Sequence, residues 1–213
     1  MVDYSHHHHY HDTVFLQRPF RDFAVYSGGA RIVHSKTSPT VSAKPWGVTT
    51  TPEQAISPGL YLGSCWPMAG STGQLTIRLA RPINVTQVTV EHLSWVAAYN
   101  IYSAPKKIEV WGSIDNVEQL QKAEQYVLSQ KFSDSPILGD PLVSGIIGKK
   151  KRFLKLSSFT YHPHPFVSSN IQTYPVSKGL RGRGIQSSEV IFRILSNWGF
   201  PDYTCIYRVR VHD

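Results

Sequence analysis

The residues of this chain able to do chemistry are few. Two cysteines, Cys65 and Cys205, stand far apart in 213 residues. As free thiols they would be candidate nucleophiles, and Cys65 with His92 is the thiol–imidazole pair that suggests itself. No nucleophile signature surrounds Cys65, however, and a thiol tied up in a disulfide cannot attack anything. Two readings stay open on the residues alone: unrelated buried thiols, or a bridge. For the bridge speaks that both lie beside aromatics in punctuated stretches, GSCWPM and YTCIYR. A bridge would close nearly the whole domain and imply an oxidising compartment. Asn84-Val85-Thr86 is a glycosylation sequon that fits such a compartment, though sequons are common by chance. His162 and His164 lack further ligand-spaced partners and read as part of a stiff His-Pro loop rather than a metal site. His6, His7, His8, His9 and His11 belong to a polar stretch expected to be a flexible or tag-like tail over residues 1–18.

These residues need a scaffold, and the sequence predicts strands. Val190, Phe192 and Ile194 alternate with Ile191, Arg193 and Leu195. Ile206, Arg208 and Arg210 alternate with Tyr207, Val209 and Val211. Asn197, Gly199, Pro201 and Asp202 lie between, so the two runs are expected to form a hairpin with a long loop. That loop carries Trp198, Tyr203 and Cys205, side chains that either pack or bind. Earlier in the chain, Leu75, Ile77 and Leu79, then Val85, Val88, Val90 and Leu93, predict two strands broken at Arg81-Pro82. Arg31 to His34, Lys107 to Gly112, Arg152 to Thr160 and Ile171 to Val176 complete the expected strands. Val117, Leu120, Ala123 and Val127 recur at helical spacing, and residues 133–151 read as an inserted loop. Short strands with one helix predict an all-β sandwich or jelly roll of the galactose-binding type, a single domain over residues 19–213.

Composition narrows the classes. No apolar run reaches the ~18 residues of a membrane span. The net charge of +8 invites a nucleic-acid reading. Lys149, Lys150, Lys151, Arg152, Arg181 and Arg183 are expected in exposed loops, and no nucleic-acid-binding motif accompanies them, so no nucleic-acid partner is expected.

Four stretches carry a family resemblance: RDFAVYSGGARI (21–32), GSCWPM (63–68), VEHLS with YSAPKKIEVWGS (90–94 and 102–113), and FRILSNWGFPDYTCIYRVRVH (192–212). Together they are similar to the SUN domain of inner-nuclear-membrane proteins. The resemblance implies a trimerising β-sandwich in the perinuclear space, carried by a membrane-anchored parent. Its partner would be the C-terminal tail of a KASH protein of the outer nuclear membrane, the pair bridging the two membranes as a LINC complex. Such a tail would add as a strand beside a lid, here 38–51. Its terminal carboxylate would enter a pocket matching His92, Ser103 and Tyr203, with Tyr207 beside them. Imidazole and hydroxyl donors suit a carboxylate. The resemblance also implies a disulfide between Cys65 and Cys205. With it comes a cation loop at 52–65, holding a monovalent ion such as potassium or sodium through Gln54, Ser57, Gly59, Ser64 and Tyr207, largely by backbone carbonyls.

Two departures bear on that reading. Thr37 occupies the position where animal members carry a cysteine that bonds covalently to the tail. The lid segment is also shorter, which implies weaker or differently registered capture. The alternative reading is a jelly-roll glycan-binding module using Trp46, Trp66, Trp95 or Trp198 as stacking surfaces. That reading rests on fold analogy. Catalysis is not expected.

Overall fold

The computed structural model describes residues 20–41, 50–59, 64–93, 100–130, 137–143, 148–163 and 170–213. Strands follow in the order β1 (Arg31–Ile32), β2 (Trp66–Ala69), β3 (Gly73–Ile83), β4 (Gln87–His92) and β5 (Lys107–Ser113). The helix α1 (Val117–Ser129) comes next, then β6 (Leu138–Asp140), β7 (Gly148–Thr160), β8 (Asn170–Pro175), β9 (Ser187–Ile194), β10 (Tyr203–Ile206) and β11 (Arg208–His212). They form a six-stranded sheet in the order β1-β3-β9-β5-β7-β6, a three-stranded sheet β11-β4-β8, and the pair β10-β2. Every ladder is antiparallel. The expected β-sandwich is the architecture observed.

Alternation places the core. Leu75 and Ile77 of β3, Val190 and Phe192 of β9, and Val110 of β5 join Val88 and Val90 of β4 and Val209 and Val211 of β11 in one buried cluster. Trp111, Phe153 and Ile191 form a separate cluster. Beside it, Glu109 is paired with both Arg193 and Lys155.

Several boundaries differ from the sequence reading, each for a physical reason. The hairpin expected between β9 and the terminal strands does not exist. Both edges of β9 are already paired, to β3 and to β5, so the chain crosses to the other layer, where β10 pairs β2 and β11 pairs β4. Strand β3 does not break at Arg81-Pro82. It runs to Ile83 with a register shift between Arg78 and Ile83, which absorbs the missing proline donor, and the break falls at residues 84–86. The 133–151 segment is not simply a loop, since it contains β6 and the first residues of β7. Lys150, Lys151 and Arg152 accordingly project from a strand. Helix α1 is present, capped by Asn116, whose Oδ1 accepts from the Gln119 N–H at 3.0 Å. Its buried face is Gln119, Ala123 and Tyr126, while Val117 is exposed. The 177–187 segment packs on that face: the Gln186 N–H donates to Gln119 Oε1, and Lys122 Nζ donates to the Gly184 carbonyl. The His-rich tail, lid residues 42–49, Trp46, Trp95 and His164 lie outside the described residues.

Candidate functional site

The end of β4 sets one wall of the site. His92 faces Asn170 of β8 in register, and Glu91 faces Arg208 of β11. The Leu93 carbonyl, just past the strand, accepts from Asn170 Nδ2 at 3.0 Å and from His92 Nδ1 at 2.9 Å. A carbonyl only accepts, so the Nδ1 proton is fixed there and the neutral ring carries a lone pair at Nε2. His92 is 4% exposed and its Nε2 is buried with no hydrogen-bond partner among the described residues. Two other buried nitrogens share that state among the described residues. They are the Nε atoms of Arg208 and Arg210, whose terminal nitrogens reach Asp22 and Glu91. Burial pushes the His92 imidazole down to about 4, against a smaller upward pull from its bond to Leu93.

Tyr207, between β10 and β11, presents its ring edge-on to His92 with centroids 4.6 Å apart. It shares a buried cluster with Tyr203, Cys65 and Cys205, against which Leu93, Phe200 and Val41 pack. Cys65 and Cys205 form a disulfide, Cα to Cα 5.4 Å, in the middle of this cluster. The pairing implied by the resemblance is therefore present, and it removes the thiol that a nucleophilic reading requires. Tyr203 opens β10 opposite Ala69 and meets Phe200 edge-on at 4.7 Å. Burial, then the neighbouring Asp202 charge, raises its phenol above the ordinary value.

Ser103 closes the 3-10 turn Ile101–Ser103 and is 1% exposed. Its Oγ donates to the Asn100 carbonyl at 2.6 Å. The turn lies against the loop after β9: the Trp198 N–H donates to the Ala104 carbonyl and the Phe200 N–H to the Tyr102 carbonyl. Asn197 knits that loop. Its Nδ2 lies within hydrogen-bond distance of the Phe200 and Tyr203 carbonyls and Thr204 Oγ1, and its Oδ1 accepts from the Gly199 and Phe200 N–H groups. Gly199 has φ of +123°, a conformation other residues rarely adopt. Sequence reasoning treated Asn197 as a turn former only and passed over Asn170 and Tyr161. Tyr161 supports Asn170 by donating to its carbonyl at 2.5 Å. For Asn197, the polar residue two places before a glycine was the available signal; for Asn170 and Tyr161 there was none.

Residues leading into the lid are strand-like. The Ala69 N–H donates to the Pro39 carbonyl, the Val41 N–H donates to the Pro67 carbonyl, and Thr40 bridges Met68. The stem thus continues the sheet beyond β2. Thr37 is committed structurally: its hydroxyl donates to the Val33 carbonyl at 2.9 Å and accepts from the Thr76 N–H at 3.2 Å.

The loop proposed for a cation is partly visible. The 3-10 turn Pro52–Ile56 holds Gln54, whose carbonyl accepts from the Ser57 N–H at 3.3 Å, and Ser57 Oγ donates to the Glu53 carbonyl. Gly59 has φ of +101° and Ser64 is fully buried. These residues offer neutral oxygens, the donor chemistry of an alkali ion. Glu53 is engaged elsewhere, with His34 at 2.5 Å. Among the described residues no cluster of His, Cys, Asp and Glu could hold a metal ion.

Of the four tryptophans of the glycan reading, Trp66 and Trp198 lie among the described residues. Trp66 is fully buried, with its indole N–H donating to Thr40 Oγ1. Trp198 donates to the Tyr161 carbonyl and is flanked by Lys106, 4.6 Å from its ring centroid, and by His162.

By architecture this is a sandwich of the galactose-binding kind. It superposes on the family 32 carbohydrate-binding module of Streptococcus pneumoniae EndoD with a TM-score of 0.53 at 11% identity, covering 91% of this chain and 99% of that one. Identity that low shows the fold alone. The sequence pattern of the Sad1 / UNC-like C-terminal family matches residues 46–133 and 128–213, and the chain belongs to that family. It is similar to human SUN domain-containing protein 1, 30% identical over 203 residues, 90% of this chain and 21% of that protein. Mouse SUN domain-containing protein 2 is likewise 30% identical, over 90% of this chain and 23% of its own length. The chain thus spans about a fifth of the length of these two relatives.

Proposed function

We propose that this SUN domain captures the C-terminal tail of a KASH protein in the perinuclear space, linking the inner and outer nuclear membranes in nuclear anchorage and positioning. The observation that carries the reading is the convergence of His92, Tyr203, Tyr207 and the Cys65–Cys205 bridge, with a buried imidazole nitrogen that no described residue satisfies. An unpaired buried polar atom is costly, and a carboxylate that binds with a proton taken up on the ring offsets that cost. Ser103 belongs to the turn that packs on the 196–200 loop, and its hydroxyl would turn from the Asn100 carbonyl to meet the carboxylate. The tail would lie along the lid stem, extending the β10-β2 sheet already lengthened by residues 39–41.

The reading extends to the assembly. The domain works as a homotrimer carried by a membrane-anchored parent, and each tail lies in a cleft between protomers. Capture is non-covalent, because Thr37 has no thiol to offer, and the reduced lid gives fewer strand bonds. A potassium or sodium ion, held by oxygens of Gln54, Ser57, Gly59, Ser64 and Tyr207, stiffens the loop at whose end Cys65 sits. No reaction is catalysed, and the partner is protein rather than nucleic acid.

The test is a titration with a KASH C-terminal peptide in two forms, free acid and C-terminal amide, alongside measurement of solution mass. The free acid should bind at least tenfold more tightly, an interval of about 1.4 kcal/mol for a lost charge-assisted bond. Equal affinity of the two forms would end the carboxylate reading, and undiminished affinity after deletion of residues 38–51 would end the lid role.

A further inference from the structure

The opposite end of β4 raises a separate question. The sequence holds five asparagines, and four of them do structural work. Asn100 Oδ1 accepts from the Tyr102 N–H, Asn116 caps α1, Asn170 Nδ2 donates to the Leu93 carbonyl, and Asn197 knits the loop before β10. Asn84 alone hydrogen-bonds to no described residue, and Asn84 alone heads an Asn-x-Thr sequence.

Its setting is open. Residues 84–86 are the extended connection by which the chain crosses from β3 to β4. Val85 is 5% exposed and anchors this connection in the core, while Asn84 is half-buried and Thr86 exposed. Alternation around the buried Val85 therefore turns Asn84 and Thr86 outward together, the pairing of amide and hydroxyl that an asparagine-linked glycosylation acceptor requires. Asn84 and Thr86 form a ridge between two solvent-open clefts. One, about 280 Å³, is lined by Arg81, Gln186 and Asp213. The other, about 360 Å³, is lined by Pro175, Leu180 and Arg181. The Leu180 and Arg181 wall comes from the 177–187 segment. The Cys65–Cys205 bridge independently places the chain in an oxidising compartment, which is where lipid-linked oligosaccharides are transferred.

We propose that Asn84 carries an N-linked glycan, its first sugar seated between these clefts. In the transfer, Asn84 Nδ2 forms a bond to the anomeric carbon of an oligosaccharide donor linked to a polyprenyl diphosphate. The sugar–phosphate bond breaks, and the amide proton leaves with the diphosphate. The glycan stands at the start of β4, at the other end of that strand from His92, so it leaves the tail pocket open and shields the surface beside Arg81 and Arg181. The proposal does not depend on the tail-binding reading.

The experiment is expression of the full chain directed to the secretory lumen of eukaryotic cells, followed by intact mass and peptide mapping with and without peptide-N-glycosidase, with thiol titration to verify the bridge. The expected result is an enzyme-sensitive mass increase of one core glycan mapped to Asn84. It should be lost in Asn84→Gln and Thr86→Ala and retained in Thr86→Ser, with the bridge formed in all. An unmodified Asn84 in chains whose bridge has formed overturns the proposal, as does a glycan that survives Asn84→Gln.

Discussion

Two histidines sit at opposite ends of the β4–β11 ladder, both 4% exposed, yet their bonding differs. His212, opposite Gln87, is bonded at both ring nitrogens, Nε2 to Thr89 Oγ1 at 2.8 Å and Nδ1 to the Arg21 carbonyl at 3.0 Å. It fastens the segment entering at residues 21–23 to the last strand, beside the Phe23 N–H bond to the Val211 carbonyl. His92 has one nitrogen bonded and the other left over. Equal burial with unequal satisfaction separates a histidine fully engaged in the fold from one with a nitrogen left unpartnered among the described residues, the one proposed to meet the tail. The surroundings agree: the His212 end is closed by backbone and hydroxyl partners, whereas the His92 end is an aromatic and disulfide cluster.

The largest effect is expected at the disulfide. Replacing Cys65 and Cys205 with serine should cost about 5 kcal/mol, since the bridge spans 140 residues and loop-closure entropy grows with length. Chemical denaturation reads the total. Amide exchange should quicken first around Tyr203 and Tyr207, with β4 residues near Thr89 following only on global unfolding.

Acid sharpens the contrast next. The folded His92 titrates at about 4, below its ordinary 6.5. Between those values the unfolded chain binds more protons than the folded one, so stability rises with pH across the window. The contribution is fully present above about 6.5 and is lost as pH falls toward about 4. At ~1.4 kcal/mol per unit this amounts to about 3 kcal/mol. Urea denaturation at neutral and acid pH should show that loss in the parent chain and a flatter profile in His92→Leu. The third test is His212→Ala, which takes one of its two partners from the buried Thr89 hydroxyl, still bonded to Thr173, and removes the donor to the Arg21 carbonyl. It should cost about 2 kcal/mol and leave affinity for a tail peptide unchanged.

The sequence made this site legible unevenly. Alternation in RVRVH and the VTVEH run marked the buried valines but not the buried Thr89 and His212 between and beside them, and the NWG and YTCIY stretches marked the loop and the bridge. What alternation cannot reveal is pairing. The β9 and β11 runs read as a hairpin because each is amphipathic and a turn separates them, yet β9 had no free edge. Helix spacing likewise favoured Val117, but the 177–187 segment covers Gln119 and Tyr126 instead, a tertiary preference invisible in a local pattern. Nor does any spacing rule disclose that the Leu93 carbonyl would fix the His92 tautomer, because that carbonyl comes from the residue next to it and its second donor, Asn170, from a distant strand.

The smallest effect is the most discriminating. With its Nδ1 proton held on Leu93, neutral His92 offers a tail carboxylate only a lone pair, and two acceptors repel. A favourable contact needs a second proton on the ring. The groups around it supply no counter-charge beforehand: Glu91 is paired with Arg210, Asp22 with Arg208, and Tyr161, Tyr203 and Tyr207 are phenols. An arriving carboxylate is then the first anion to favour the imidazolium, so the bound pKa exceeds the free value of about 4. Binding takes up a proton, and affinity strengthens as pH falls from neutral toward the free value, by at most about tenfold per unit. Calorimetry in buffers of different ionisation enthalpy counts that proton, and His92→Gln, which keeps an amide donor without titrating, should bind with no pH slope. A parent chain that binds the free acid without proton uptake would mean that Tyr203 and Ser103 hold the carboxylate alone, leaving His92 a structural residue after all.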